Sequence, residues 1–245
     1  FPAGLSLRAP LQGDVAQEVE VVSANPIAAG SRSIFDQALH EPMPIRNLEM
    51  ARARHLLEWM ADAFAIAGVD RLALRADRLA ATIEPGETAS VERLMASARR
   101  SLLRPMAMRT VGKLPKDVDI SNLGPVARAA GVPDDRRTLE QGYREIDFQV
   151  VTRSGGDAWA RFEQRADEAA QAVRLADRSG DRKAFGDGEV EAPDGLRGIS
   201  GPSPADMSIS MLEALLTGME WGDLVTVVHS LDVDMETVSV GNTAV

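Results

Sequence analysis

The chain contains no cysteine, a single tyrosine (Tyr143), and aromatic residues at only 4% of its 245 positions. Without thiols there can be no disulfide, no thiol catalysis and no cysteine-ligated zinc, iron–sulfur or nickel site. With few aromatics, the core must be built from Ala, Leu, Val and Met. Basic charge is also short: 27 Lys and Arg face 37 Asp and Glu, a net charge of −10. No Lys/Arg cluster is free of interspersed acids, which argues against nucleic acid as a partner and against an anionic lipid surface bound by charge alone. No apolar run approaches the ~18 residues of a membrane span. The N-terminus shows no basic segment leading into an apolar signal core. What remains is ordinary for a folded domain: 44% hydrophobic and 26% charged residues over a length that can bury one large core or two modest ones.

The pattern of residues predicts an α+β fold. Leu5-Ser-Leu-Arg8, a Gly13-Asp14 turn and Glu18 to Val22 read as a β-hairpin, and the proline-bearing stretch 25–46 as loop. From Asn47 the period becomes helical. Leu56, Met60 and Phe64 mark a helix ending at Gly68, a second covers 71–83, and Val91, Leu94, Met95, Ala98 and Leu102 mark a third; together they predict a helical bundle. Further on, Tyr143 to Thr152 reads as a strand. Trp159, Phe162, Ala166, Ala169, Val173 and Ala176 line a long helix, and 178–188 reads as a mobile polar loop. Glu189-Val-Glu191 reads as a strand before the Pro193-Asp-Gly195 turn. Ser203-Pro204 opens a helix that ends near Gly218, and Leu224 to Leu231 reads as a buried closing strand. This divides the chain into a hairpin and loop (1–46), a helical bundle (47–123) and a mixed α/β part (124–245) that completes a single domain. No internal repeat is visible.

Candidate chemistry is sparse. His40, His55 and His229 are far apart in sequence and on different element types. Asp232, Asp234 and Glu236 alternate as they would on one face of a strand; a hard divalent cation there is conceivable, but a solvated strand end is the simpler account. Asp134-Asp-Arg-Arg137 reads either as an anion site or, preferably, as a salt-bridge network that holds a loop. The glycines lack the strand–GxGxxG–helix context of a dinucleotide site, and GxSxG, HExxH and Walker patterns are missing. No residue is assigned a catalytic or cofactor-binding role, and no cofactor is expected.

Five stretches occur in an order that carries a resemblance. They are Gly124-Pro-Val-Ala-Arg-Ala-Ala-Gly-Val132 with Asp134 to Arg137 and Tyr143-Arg-Glu-Ile-Asp-Phe148; Gly156-Asp-Ala-Trp-Ala-Arg-Phe162 with Arg165 and Glu168; Glu189-Val-Glu-Ala-Pro-Asp-Gly195; Leu215 to Asp232; and, more loosely, Arg54-His55-Leu56. They resemble the superfamily shared by the quinone-site (D-type) subunit of respiratory complex I and the large subunit of membrane-bound nickel–iron hydrogenases. In that family the corresponding patterns read GPxxRxSG…DLR…YDxxDF, GDxxxRFxxRxxE, VEAPRGE, a closing helix and strand, and ERxxNHL. The resemblance covers residues 47–240, and 1–24 faintly. It implies structural or interface roles for Gly124, Pro125, Arg128, Gly131, Asp135, Arg136, Asp147, Arg161 and Arg165.

The family's chemistry does not carry over with its scaffold. The hydrogenase metal pair needs two Cys-x-x-Cys sets of soft thiolates. Where the C-terminal pair would fall, this chain reads Asp232-Val-Asp-Met-Glu-Thr-Val-Ser-Val240, with Asp234 and Thr237 in the cysteine positions. The N-terminal pair has no counterpart between Gly30 and Leu48. The HPxxHG loop of the complex I relative is matched by Phe1-Pro-Ala-Gly-Leu5, with phenylalanine at the first histidine. The tyrosine-bearing segment falls in the missing region, and Tyr143 belongs to another motif. Quinone and NAD binding are therefore only inherited labels. The resemblance implies a metal-free subunit of a hydrogenase-like or NADH:quinone oxidoreductase-like complex, cytoplasmic and peripheral to the inner membrane. Its partners would be an iron–sulfur subunit and membrane-arm subunits, its role to scaffold or shape an electron-transfer path. The alternative is a free-standing small enzyme or ligand-binding protein that reuses the emptied cavity.

Overall fold

Two long helices, both buried on most sides, organise the chain in the computed structural model, which describes residues 5–24, 33–100, 108–114, 120–199 and 209–232. The first, α2 (Ile45–Ile66), follows α1 (Ile34–Ala38) and ends at Gly68, whose φ of 66° stops the helix in the left-handed region. The segments α3 (Asp70–Thr82) and α4 (Thr88–Arg100) return beside it. The second long helix is α7 (Ala158–Arg178), which follows the short helices α5 (Pro125–Ala129) and α6 (Gln141–Arg144) and is N-capped by Asp157 through a 2.9 Å bond from the Ala160 N–H. Leu56, Leu57, Met60 and Phe64 of α2 pack with Val91, Leu94 and Met95 of α4 and Phe162, Ala169 and Val173 of α7 in one apolar core. Alanines at 166, 169, 172 and 176 let α7 lie close to its neighbours, and each is buried.

The fold is α+β, with the N-terminal strands, helical bundle and mixed C-terminal region that the sequence predicts. The strands β1 (Leu5–Arg8) and β4 (Glu20–Ala24) pair antiparallel, and β2 (Leu11–Gln12) and β3 (Val15–Ala16) close the tip around Gly13 and Asp14. This ribbon is tied to the other end of the described chain. The Ala16 N–H donates to the Met219 carbonyl at 2.8 Å, and the Trp221 N–H to the Asp14 carbonyl at 2.7 Å. The Val21 N–H donates to Glu213 Oε1 at 2.8 Å, across 192 positions of sequence. Val126, Leu212, Leu216, Leu224, Val227, Val228 and Leu231 fill the core beneath it, with Ala16 and Val19.

Several predicted elements take another form. Leu224 to Leu231 is not a strand but lies in helix α9 (Trp221–Leu231), which follows α8 (Ile209–Leu216). Leu224, Val227, Val228 and Leu231 sit at i, i+3, i+4 and i+7, so the valine-rich run meets the core at helical spacing. Tyr143 to Thr152 is not a strand either. Tyr143 and Arg144 end α6, and residues 148–153 run irregularly. Their carbonyls are taken by glutamines of α7 in place of a ladder: Gln171 donates to the Gln149 carbonyl and Gln164 to the Val151 carbonyl, each at 2.6 Å. The loop read over 25–46 contains α1, with a capping box between Ser33 and Asp36, and strand β5 (Met43–Pro44). The polar stretch 178–188 contains β6 (Lys183–Ala184), which pairs with β5, and buries Ala184 and Phe185. Strand β7 (Glu189–Glu191) forms as predicted, in a hairpin with β8 (Leu196–Gly198). The start of the 203–218 helix at Ser203-Pro204, and Leu102 of the third helical stripe, lie outside the described residues.

Candidate functional site

A second, adjoining stripe of α7 is buried and polar: Arg161, Gln164, Arg165, Glu168 and Gln171 are all shielded from water. Ionised groups rarely occupy such positions unless they are paired. Each end of this stripe anchors a cluster of arginines, and the two clusters hold the segments that carry the sequence motifs.

The first cluster centres on Arg128 of α5. Gly124 opens that helix at φ 48°, and a Cβ there would meet the Gly195 Cα at 2.7 Å. Gly195 in turn has no room for a Cβ, which would sit 2.6 Å from the Asn122 carbonyl. The two glycines thus let the 120–124 turn touch the β7–β8 hairpin, and Pro125 at the first helical position fixes the helix start. From this base Arg128 reaches Glu168 with Nε at 2.7 Å and Nη2 at 3.0 Å, Glu191 with Nη1 at 2.8 Å, and Asp135 at 3.2 Å. Asp135 is also gripped by Arg137, from Nε at 2.9 Å and Nη2 at 2.7 Å. Arg137 continues to Glu49 of α2 at 3.3 Å, stacks over the Phe148 ring at 4.4 Å, and leaves Glu49 to accept the Tyr143 hydroxyl at 2.5 Å. Arg52 lies 3.4 Å from Glu49 and donates to the carbonyls of Ala192, at 3.0 Å, and Glu191.

Burial opposes every charge in this chain of ion pairs, and neighbouring charges overcome it at most positions. Burial alone would lower the Arg128 pKa, but Glu168, Glu191 and Asp135 carry it above its ordinary value. Burial would raise the Asp135 and Glu168 carboxyls; Arg137 and Arg128 hold the first below the usual range, and Arg128 holds the second below it. The Tyr143 hydroxyl is pushed well up by burial and by Glu49, so it stays a donor.

The second cluster lies at the other end of the stripe and contains few acids. Arg161 donates to Ser230 Oγ at 2.9 and 2.7 Å, and to the carbonyls of Gly112 at 2.8 Å and Gly156 at 2.9 Å. Arg165 donates to the Ser230 carbonyl at 2.9 Å, lies 4.2 Å over the Trp59 ring, and comes within 3.6 Å of Asp232. Both cations sit at the C-terminal end of α9, where the helix dipole favours positive charge. Even so, burial lowers the Arg161 pKa to about 9, with Arg165 adding to the fall, and burial lowers that of Arg165. His229 stacks on Trp59 with ring centroids 4.7 Å apart, and burial, then the Arg165 charge, lowers its pKa to about 4.

The sequence-predicted residues divide between these clusters and the surface. Gly124, Pro125, Arg128 and Asp135 belong to the first, Arg161 and Arg165 to the second. Gly131 ends α5 at φ 96°. Arg136 reaches outward to Glu140 at 2.9 Å, Glu189 at 3.1 Å and Asp187. With Arg136 and Arg137 both engaged by carboxylates, the Asp134–Arg137 run is a salt-bridge network. Asp147 is exposed, in a left-handed turn at φ 56°. Asp232 caps α9 in the left-handed region (φ 52°, ψ 47°) and is not part of a strand, and Asp234 and Glu236 lie outside the described residues. Among the described residues no three His, Asp or Glu side chains gather as a metal-ligand set. His40 and His55 are exposed. Sequence reasoning did not single out Glu49, Arg52 and Glu191 as site residues. The available signal was charge on an apolar stripe, since Glu49 and Arg52 share a helix face with Ile45, Leu48 and Leu56.

Comparison with known proteins joins these parts. Residues 80–195, which hold the Gly124–Gly195 contact and all of the first cluster except Glu49 and Arg52, match the family of the respiratory-chain NADH dehydrogenase 49 kDa subunit. The chain is homologous to the superfamily of the complex I D-type subunit and the nickel–iron hydrogenase large subunit. It is 31% identical over 136 residues to the second D-type subunit of the NADH-quinone oxidoreductase of Rhizobium etli, covering 55% of this chain and 32% of that one. It is 32% identical over 121 residues to the D-type subunit of the NADH-quinone oxidoreductase of Salinibacter ruber, covering 48% and 26%. The match thus spans about a third of the length of these relatives or less. In fold, the chain is similar along 96% of its length, at a TM-score of 0.58 and 19% identity, to a chain of the membrane-bound sulfane sulfur reductase, described as an archaeal respiratory membrane complex. The superfamily's nickel–iron pair does not fit here. The sequence offers no thiolate, and Asp232, at the edge of the family's second cysteine pair, lies within 3.6 Å of a buried arginine. No helix among the described residues is long and apolar enough to cross a membrane.

Proposed function

We propose that this chain is a metal-free subunit of a hydrogenase-like or NADH:quinone oxidoreductase-like complex, in which it scaffolds or shapes an electron-transfer path while the chemistry occurs on other subunits. One observation carries the reading: the superfamily's motif residues bind one another. Arg128, Asp135, Glu168 and Glu191 spend their charges within a closed network that joins α5, α7 and the β7–β8 hairpin. Their pairing therefore preserves a shape. The likeness along nearly the whole chain to a component of a respiratory membrane complex supports the same view. The partners are an iron–sulfur subunit and membrane-arm subunits, and the chain sits on the cytoplasmic side, peripheral to the inner membrane through them.

The test is co-expression with an iron–sulfur subunit encoded beside it, followed by gel filtration and metal analysis of the full chain. A co-eluting complex whose iron belongs to the partner supports the assignment. A free-standing monomer or dimer carrying a stoichiometric divalent metal of its own overturns it in favour of an emptied cavity put to new use.

A further inference from the structure

The ion-paired network around Arg128 contains four carboxylates, Glu49, Asp135, Glu168 and Glu191, and three guanidinium groups, Arg52, Arg128 and Arg137. All seven are buried. Within this directly paired set one carboxylate is in excess, the next buried cation, Arg165, being shared among Glu168, Asp232 and Asp194, and a buried excess charge is relieved most directly by binding a proton.

Geometry identifies which one. Asp135 accepts two bonds from Arg137, the Arg137 N–H at 3.0 Å, and lies near Arg128. Glu168 accepts two bonds from Arg128 and one from Gln164 at 2.8 Å. Glu49 has Arg52, Arg137 and the Tyr143 hydroxyl. Glu191 has one bond from Arg128 Nη1, which also serves Asp135 and the Asp134 carbonyl, and one from the neutral Arg136 N–H at 3.1 Å. Glu191 also borders solvent. With Asp135 it forms part of the wall of a cleft of about 140 Å³, bounded by Ser121, Asn122, Thr138 and Leu196.

We propose that Glu191 is a proton-binding site, which takes a proton from water in this cleft and holds it on a carboxyl wired to Arg128. The proposal goes beyond the role of the chain in a complex and does not depend on it. The balance is simple: hydronium gives its proton to the carboxylate, leaving a neutral carboxyl and water, and the network becomes three carboxylates against three guanidiniums. Charged groups surround Glu191 on every packed element. Arg128 approaches from α5, Arg137 from the 3-10 turn Arg136–Leu139, Asp135 from the cap before that turn, and Glu168 from α7, itself between Arg128 and Arg165. Glu49 and Arg52 approach from α2, and the Asp36–Arg197 pair joins α1 to β8 at 3.1 Å. Burial, then the Asp135 charge, raises the Glu191 pKa above the ordinary glutamate value, against the pull of Arg128.

Two readouts on the full chain test this. The Arg136 amide, bonded to Glu191 Oε2, reports the titration by NMR without any substitution. Infrared spectroscopy reports a protonated carboxyl directly, and Glu191→Gln and Glu168→Gln assign it. The expected result is an Arg136 amide shift with its midpoint above the ordinary glutamate value of 4.5, matched by loss of a carboxyl band that Glu191→Gln abolishes and that Glu168→Gln, by removing the excess negative charge, moves to lower pH. Wild type should also lose stability as pH rises through that midpoint, because its folded state binds the extra proton; Glu191→Gln removes that component of the slope. An Arg136 amide that stays flat above about pH 4.5, or a band that survives in Glu191→Gln, overturns the proposal.

Discussion

Arg128 and Arg161 are both fully buried, yet the chain satisfies them in opposite ways. Arg128 meets three carboxylates, while Arg161 meets a hydroxyl and two backbone carbonyls, with its nearest arginine neighbour working against it. The first solution joins distant segments through charge, and each guanidinium depends on the carboxylates around it. The second pins loop backbone to helix ends through neutral acceptors, and it leaves positive charge only partly compensated. Carboxylate pairing therefore makes the Arg128 region intolerant of losing a partner, whereas the Arg161 region is sensitive to any further positive charge.

The largest expected effect comes from Arg128→Ala. It strands Glu168, Asp135 and Glu191 together in the interior, and removing one member of a buried ion pair costs about 3–5 kcal/mol. Urea unfolding should show a loss at the top of that range or failure to fold; a loss under about 1 kcal/mol would place the network in a wetter setting than its burial indicates. Acid acts next, and on the other region. The His229 pKa is depressed to about 4 from 6.5, so the folded state resists protonation while the unfolded chain accepts it. Stability is full above pH 6.5 and falls as pH drops toward 4, by up to about 3 kcal/mol at 1.36 kcal/mol per pKa unit. His229→Leu should remove that component from a pH series of thermal melts, and an unchanged slope would move the source elsewhere. The smallest of the three is Arg161→Met, which leaves the Gly112 and Gly156 carbonyls short of a donor at about 1–3 kcal/mol. Hydrogen exchange should rise first in residues 108–114, and protection equal to wild type would show that Arg161 does not anchor them.

The same contrast explains what could be read from the sequence. The apolar stripe of α7 was legible because Phe162, Ala166, Ala169 and Val173 repeat at helical spacing. Its polar stripe has the same period but looks like a solvated face until Val151, Gln149 and Ser230 are seen to lie against it. Arg128, Asp135, Arg161 and Arg165 were visible through the motifs that hold them. Glu49 and Arg52 were not, because their partners come from 88 positions away at Arg137 and about 140 away at Glu191 and Ala192. The α9 segment reads as a strand because Val225, Val227 and Val228 favour strands locally, while tertiary packing at i, i+3, i+4 and i+7 decides the outcome. Tyr143 to Thr152 reads as a strand in sequence, but the donors that meet the Gln149 and Val151 carbonyls are glutamine side chains of α7.

The N-terminal ribbon carries a consequence for synthesis. Its Val19 and Val21 N–H groups bond to Thr217 and Glu213, 198 and 192 positions downstream. At about 5–20 residues per second, a ribosome needs roughly 10–40 s to deliver those acceptors. Through that interval the ribbon's apolar side chains have no floor to settle on. The first part of this fold to leave the exit tunnel is thus among the last to find its place, and it is the part for which a nascent-chain chaperone would matter most.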